Sequence, residues 1–423
     1  VAVHYFITGV KSISKDDSEA LKEEIAQLAQ PWTSRLKNEL FTRFSEDEAR
    51  PLYSRYREAF PSRYREETSV SRAVTDIELL EGLTQDSWFT CEIFREKSDK
   101  RRGITRLRLV HSESIILSDI LPVLDNLGLV IIDQYPTTIH VSGRPEAVIS
   151  TYRIRGAKQM QVDLMSRRNR LSSAIKASIL GVFDNDSFNR LLLRADVPWN
   201  YVSLIQALHS YARQIGSPYG RETVREALEG NSDVVRSLTE YFRIKFDPSI
   251  DGLDPSSVCE KRTQLIERAE RTLLAQIARV ADLKSDSIIR TFYNLIQATL
   301  RTNFYNRDPY KVPEVVLKFD PSQIERIPEP RPYREIYVHH PKVAGLHLRG
   351  GPVARGGIRW SDRRLDYRTE VLGLMNTQNL KNVVIVPRGA KGAFIIRETF
   401  DPPAEQRAAA DAGYKIFING LLQ

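Results

Sequence analysis

The run GGPVARGGIRW, residues 350–360, constrains this chain more than any other stretch. Four glycines, Gly350, Gly351, Gly356 and Gly357, stand beside Arg355 and Arg359, and Trp360 closes the run. Glycines this dense let a backbone approach another group closely, because no Cβ stands in the way. The run therefore asks what is approached: a phosphate, a nucleic acid or a small acid. A second glycine-flanked basic stretch, PRGAKGAF, follows at residues 387–394.

At 423 residues the chain is too long for one ordinary domain, so two to four are expected. Hydrophobic residues are 41% and charged residues 27%, an ordinary globular balance. No stretch approaches the ~20 apolar residues of a membrane span, and the opening does not read as a signal peptide. Cys91 and Cys259 are too few for a disulfide framework and carry no metal spacing, which favours a reducing, cytoplasmic setting. The net charge of +8 and pI near 9.3 admit nucleic acid, membrane or acidic substrate. Arginines interleaved with glutamates, as in RYREAFPSRYREE, favour a solvated, salt-bridged face instead. Neither a nucleic-acid nor a membrane partner is expected. The chain starts at Val1 and ends in the apolar run KIFINGLLQ, so a piece of a longer protein is expected.

The chain changes character along its length. Residues 1–80 predict a strand at Val3 to Thr8, then helices broken at Pro31, Pro51 and Pro61. Residues 87–143 alternate in the strand manner in WFTCEIF and ITRLRLVH. LSDILPVLDNLG follows as a helix, with Ser118 as cap, Pro122 in the first turn and Gly128 at the end. LVIIDQY and TTIHVSG supply two more strands, which makes a small α/β sandwich able to hold a small effector or only to pack. Residues 165–310 are helical almost throughout. In PWNYVSLIQALHSYARQIG, the residues Val202, Ile205, Leu208, Ala212 and Ile215 share one face. SDSIIRTFYNLIQATLRTNF has the same pattern. After residue 311 come the strands PEVVLKFD, REIYVHH and AGLHLRGG. A helix is expected from Ser361 through RTEVLGLMNTQNLKN, then a strand VVIVP, a tight RGAKGA loop and a strand FIIRE.

The last segment gathers Arg355, Gln378, Lys381 and Lys391. Gln378 and Lys381, three apart, share one helix face. Cations that converge attract a dicarboxylate. Like charges also disfavour the charged form of a lysine, and a neutral lysine can move protons. The plainer reading is a solvated lysine in a hairpin tip. Neither the P-loop pattern nor the dinucleotide pattern G-x-G-x-x-G occurs. The histidines, His339 and His340 included, form no metal set, and no metal is expected. No serine or cysteine is tied to a base.

The stretch LHLRGGPVARGGIRWSDRRLDYRTEVLGLMNTQNLKNVVIVPRGAKGAF resembles the substrate-domain signature of the large NAD-dependent glutamate dehydrogenases. FYNLIQATLRTNFY and LSDILPVLDNLGL resemble upstream segments of the same family. The resemblance implies a multidomain α/β chain. Residues 1–80 would hold a strand and helices, 81–150 an ACT-like α/β module, and 151–310 helical connecting motifs. Residues 311–423 would start the substrate-binding domain, with the Rossmann domain and the catalytic aspartate beyond Gln423. It implies oxidative deamination of L-glutamate to 2-oxoglutarate and ammonium, with NAD bound by that later domain. Arg355 and Lys381 would bind carboxylates, Gln378 would line the pocket, Gly350 and Gly351 would lie against substrate, and Lys391 would be catalytic. Ala393 stands where the family pattern has glycine. A homo-oligomer is implied, with a homotetramer as one form. The alternative function is an amino-acid-sensing regulatory or assembly region without catalysis of its own.

Overall fold

The computed structural model describes residues 30–85, 87–100, 103–157, 162–251, 255–381, 388–398 and 403–423, with Glu19 and Lys22. The strands expected at Val3 to Thr8 and in VVIVP lie outside the described residues. The chain divides into two compact units. One comprises Val1–Glu92, Arg106–Ile115 and Asp133–Arg153; the other comprises Ile93–Thr105, Ile116–Ile132 and Ile154–Gln423.

The first unit opens with helices α1 (Trp32–Arg43), α2 (Glu46–Tyr56), α3 (Ser62–Glu67) and α4 (Val70–Glu81). Pro31 and Pro61 stand just before α1 and α3, where a missing N–H costs nothing. Pro51 does not break the chain as expected but sits inside α2. It is exposed, so only one hydrogen bond is lost, and a capping box between Ser45 and Glu48 secures the helix start. Leu36, Leu40, Tyr56, Phe60, Val74 and Ile77 bury one face of these helices in a core with Val110, Ile139 and Ile149. Asp76 of α4 is fully buried there. It accepts hydrogen bonds from Tyr64, Arg72 and Arg108, and Arg108 also donates to Thr151 at 3.1 Å.

The small sheet holds β1 (Phe89–Phe94), β2 (Thr105–His111), β3 (Leu129–Ile139) and β4 (Ala147–Gly156), with α5 (Leu117–Asn126) between β2 and β3. Its strand order is β1-β2-β4-β3. The expected succession of two strands, a helix and two strands holds, but two details differ. LVIIDQY and TTI form one strand that runs through Pro136, and the fourth strand is AVISTYRIRG. β3 lies at the sheet edge, where proline is tolerated. Helix α5 begins at Leu117 with Ile116 as its cap, so Ser118 is not the cap and Pro122 lies past the first turn.

The second unit continues with α6 (Arg168–Ile179), α7 (Trp199–Gln214), α8 (Arg221–Gly230), α9 (Ser232–Phe246), α10 (Pro255–Ile277) and α11 (Leu283–Ala298). The expected face of α7 is the buried one: Val202, Ile205, Leu208, Ala212 and, just past its end, Ile215 are all in the core. The helix expected to run on through ATLRTNF stops at Ala298, and TLRT becomes the strand β5 (Thr299–Thr302). A sheet follows from β6 (Val315–Phe319), β7 (Arg334–His339), β8 (Val343–Arg349), β9 (Ala354–Arg355), β10 (Ile358–Trp360) and β11 (Arg388–Ile396), with α12 (Tyr367–Lys381) and α13 (Pro403–Leu422). Its order is β10-β11-β8-β7-β6-β5, with β9 also pairing β11.

Period-two alternation divides this sheet into two faces. Val316, Ile336, Val338, Phe394 and Ile396 pack with Ala410 and Phe417 of α13. Phe319, Glu335 and Tyr337 face the other way, toward α7. Tyr211 of α7 stacks on Phe319 with ring centroids 4.3 Å apart, and its hydroxyl donates to Glu335 at 2.7 Å. Glu335 also pairs with Arg368 of α12, and both side chains are buried. That pair holds α12 on the α7 face.

Candidate functional site

The glycine run approaches the chain's own backbone. Strand β11 is antiparallel to β8, with Lys391 opposite Leu348 and Gly392 opposite His347. On its other side β9 and β10 run parallel to it, with Arg355 opposite Gly389 and Ile358 opposite Gly392. The Gly350 amide donates to the Gly389 carbonyl at 2.9 Å, and Gly392 donates to Gly357 at 3.1 Å. A Cβ on Gly356 would fall on the Ala390 carbonyl oxygen, so only glycine fits there.

RGAKGA is therefore the first part of a strand and not the tight loop expected from its glycines. The small residues serve close packing: a Cβ on Gly392 would meet the Ile358 and His347 side chains at 3.0 and 3.1 Å. Ala393 is fully buried opposite Leu346. Among the described residues the only non-glycine with positive φ is Asp196, so alanine fits this strand without strain.

The helix expected from Ser361 starts six residues later, at Tyr367. Ser361 is used elsewhere: its Oγ donates to Glu370 at 2.6 Å, and its amide donates to the Phe394 carbonyl at 2.8 Å. Gln214 of α7 completes the true start. Its Oε1 accepts from the Arg368 amide at 3.1 Å, one of the donors a helix leaves unpaired in its first turn.

These elements bring part of the expected site together. Lys391 points to the α12 side of the sheet, because its neighbours Gly392 and Phe394 point to the other. Gln378 of α12 donates from Nε2 to the Arg355 carbonyl at 3.0 Å, which ties the helix to β9. Its Oε1 is buried and accepts nothing among the described residues. Arg355 itself is exposed. Gly350 and Gly351 turn from β8 toward β9, and a Cβ on Gly351 would press on the Arg388 side chain at 2.7 Å. Lys381 is the last residue of α12, three beyond Gln378, and its side chain lies outside the described residues.

Sequence reasoning missed the group that anchors the far end of β11. Arg397 donates to both oxygens of Asp184 at 2.8 and 2.6 Å and to the His340 carbonyl at 2.9 Å. His339 Nε2 lies 2.9 Å from the same carboxylate. Burial alone would raise the Asp184 pKa, but Arg397 and His339 overcome it and hold it well below the usual range. Asp184 lies 213 positions from Arg397 and carries no local sign of the pairing.

Comparison with known proteins now assigns the family. The family model for the bacterial NAD-glutamate dehydrogenase catalytic domain matches residues 272–423. Models for glutamate dehydrogenase helical motif 3, helical motif 2 and the ACT3 domain match residues 183–248, 39–83 and 90–167. The NAD-specific glutamate dehydrogenase of Halomonas elongata is 37% identical over 413 residues, 96% of this chain. Those of Pseudomonas aeruginosa and Mycobacterium tuberculosis are 35% and 34% identical over 96% and 94% of the chain. The chain belongs to the bacterial NAD-glutamate dehydrogenase family. It spans 25% of the length of each of these three relatives. Within this family member, the β9–β10 loop, α12 and β11 all fall inside the part matched to the catalytic domain.

Two outcomes follow from the site's packing and titration. Gly356→Ala should cost about 1–3 kcal/mol through overpacking, whereas Gly357→Ala, whose added methyl meets nothing within 4 Å, should unfold like the parent. Thermal unfolding of the two variants reads the difference, and equal melting would refute the backbone contact. Burial lowers the pKa of His209, His340 and His347 to about 4. The unfolded chain then takes up these protons near pH 6.5 while the folded one does not, so stability falls as pH drops from about 6.5 to 4. Each histidine adds a slope of up to about 1.4 kcal/mol per pH unit. Urea unfolding across this range should flatten in His347→Gln; an unchanged slope would remove that histidine from the account.

Proposed function

We propose that the longer protein to which this chain corresponds oxidises L-glutamate with NAD and water to 2-oxoglutarate, ammonium, NADH and a proton. The observation that carries the proposal is the placement of Lys391 beside the strand and helix that bear Arg355 and Gln378. NAD supplies the acceptor for the hydride that leaves the substrate α-carbon. The roles proposed for this chain lie on the substrate side. Arg355 and Lys381 would hold the two carboxylates and so fix the α-carbon's orientation. The buried, unpaired Oε1 of Gln378 is an acceptor suited to the substrate ammonium. Gly350 and Gly351 would let the substrate lie along the backbone.

Lys391 would act after the hydride has left. In its amine form it takes a proton from the water that attacks the iminium carbon. As an ammonium it then returns that proton to the departing nitrogen, and its charge faces the developing oxyanion. In the complete enzyme, Lys391→Ala should lower kcat by about 10²–10⁴-fold with the melting temperature unchanged. Arg355→Gln should instead raise KM for glutamate. Near-normal turnover by the lysine variant would sink the assignment.

The same protein is proposed to work as a cytoplasmic homo-oligomer, with a homotetramer as one form. A second, regulatory reading rests on a cavity of about 580 Å³ in the first unit, lined among others by Tyr56, Trp88, Glu113, Val141 and Arg144. A carboxylate could meet Arg144, an ammonium Glu113, and an apolar side chain the remaining walls. The ACT3 match supports this reading. Calorimetric titration of the full protein with each amino acid should give saturable heat with at least one besides glutamate. Silence across the panel would leave the cavity as packing space.

A further inference from the structure

Helix α12 takes its cap from another helix. The residue before it, Asp366, is of the type that usually caps a helix start from its own side chain. Its two carboxylate oxygens are met by Arg363 instead. The capping oxygen comes from α7: Gln214 Oε1 accepts the Arg368 amide at 3.1 Å, across 154 positions of chain. Gln214 Nε2 donates to the Arg364 and Leu365 carbonyls at 3.2 and 3.1 Å. These partners fix the orientation of the side-chain amide, because carbonyls only accept and a backbone N–H only donates. A carboxylate at this position could not hold the loop, and an amine could not cap the helix.

Arg368 is held twice from one face of α7. Its amide meets Gln214, and its guanidinium meets Glu335, which accepts the Tyr211 hydroxyl at 2.7 Å. Tyr211 and Gln214 are three apart, so they project from the same side of the helix. Apolar packing does not fasten the loop before α12. Leu365 is 82% exposed, and a cavity of about 180 Å³ is lined by Ser210 and Arg213 of α7 and by Arg364 and Leu365. The side-chain amide bridges α7 and the loop beside that space. Gln378 lies ten residues beyond Arg368, roughly 15 Å along the axis at about 1.5 Å per residue. There it donates to the Arg355 carbonyl at 3.0 Å. A helix is stiff over this length, so its start and Gln378 move together.

We propose that Gln214 is a positioning residue for the glutamate site: by capping α12 and holding the loop before it, α7 sets how tightly Arg355 and Gln378 grip the substrate. The proposal rests on the substrate-side roles given above to those two residues. It gives α7, which lies in the stretch matched to helical motif 3, a part in substrate affinity besides packing. Gln214 stands at the opposite end of α12 from Gln378, so it acts through the helix and not by contact. Such an effect weakens substrate and transition state alike, and so appears in KM and not in kcat.

The test is steady-state kinetics and thermal unfolding of the full-length protein. Gln214→Met keeps the length of the side chain and removes its amide. It should raise KM for glutamate about three- to tenfold, the range that a lost helix cap supplies, with kcat within about twofold of the parent and KM for NAD unchanged. KM does not depend on how much of the enzyme is folded, so the reading holds even at lower yield. Gln214→Glu keeps the capping oxygen. A KM nearer the parent assigns the effect to the cap, a KM equal to that of Gln214→Met assigns it to the loop carbonyls, and both support the proposal. Gln378→Leu should raise KM as well, and the double variant should rise by less than the product of the two, because both act through one helix. A parental KM in Gln214→Met beside a raised one in Gln378→Leu overturns the proposal and leaves the substrate assignment standing. A lowered melting temperature alone then marks a cap that only stabilises. A parental KM in Gln378→Leu removes the substrate assignment and the proposal with it. Full multiplication in the double variant shows two independent effects and overturns the coupling.

Discussion

The contact between Gly356 and the Ala390 carbonyl is the constraint on which the candidate site depends. Strand β11 is gripped by β8 on one side and by β9 and β10 on the other. Its start can lie this close to the glycine loop only because Cβ atoms are missing there. That closeness fixes Lys391 relative to Arg355 through a few backbone bonds, without a long side chain spanning a gap. Placement of this kind is what the catalytic role proposed for Lys391 requires, since errors of about an ångström cost rate.

Buried charges set the position of the helix opposite. Arg368 enters α12 in its first turn and meets Glu335, which also takes the Tyr211 hydroxyl. Gln214 closes the same turn from α7. Such pairs contribute little net stability, because two charges must first leave water. They do penalise every arrangement that breaks them, since each leaves an uncompensated buried charge. The pairing thereby fixes the rotation of α12, and with it the direction of Gln378 about three turns further along. Arg397 and Asp184 do the same for the far end of β11.

The sequence shows the elements that rest on local pattern. The stripe on α7 and the alternation of β6, β7 and β8 are visible there, and Gln378 does meet Arg355, through that residue's carbonyl. It misleads where a local signal has two physical causes. Glycines around Lys391 read as a turn, yet they serve close strand packing. Ser361 reads as a cap, yet its hydroxyl is committed to Glu370. Pro136 reads as a break between strands, yet an edge strand accepts it. Partners far apart in the chain, such as Asp184 and Arg397, leave no local trace.

Charge follows the same division. In the first unit the arginines are largely met by carboxylates, as in Arg55 and Arg144 on Glu81, and the interleaved sequence announces this. In the large sheet, basic residues come from strands whose spacing in sequence hides their meeting. Arg301 and Lys318 are seventeen positions apart but share one register. A fold selected for stability alone would place a carboxylate opposite one of them, since the exchange costs no apolar burial on a half-exposed position.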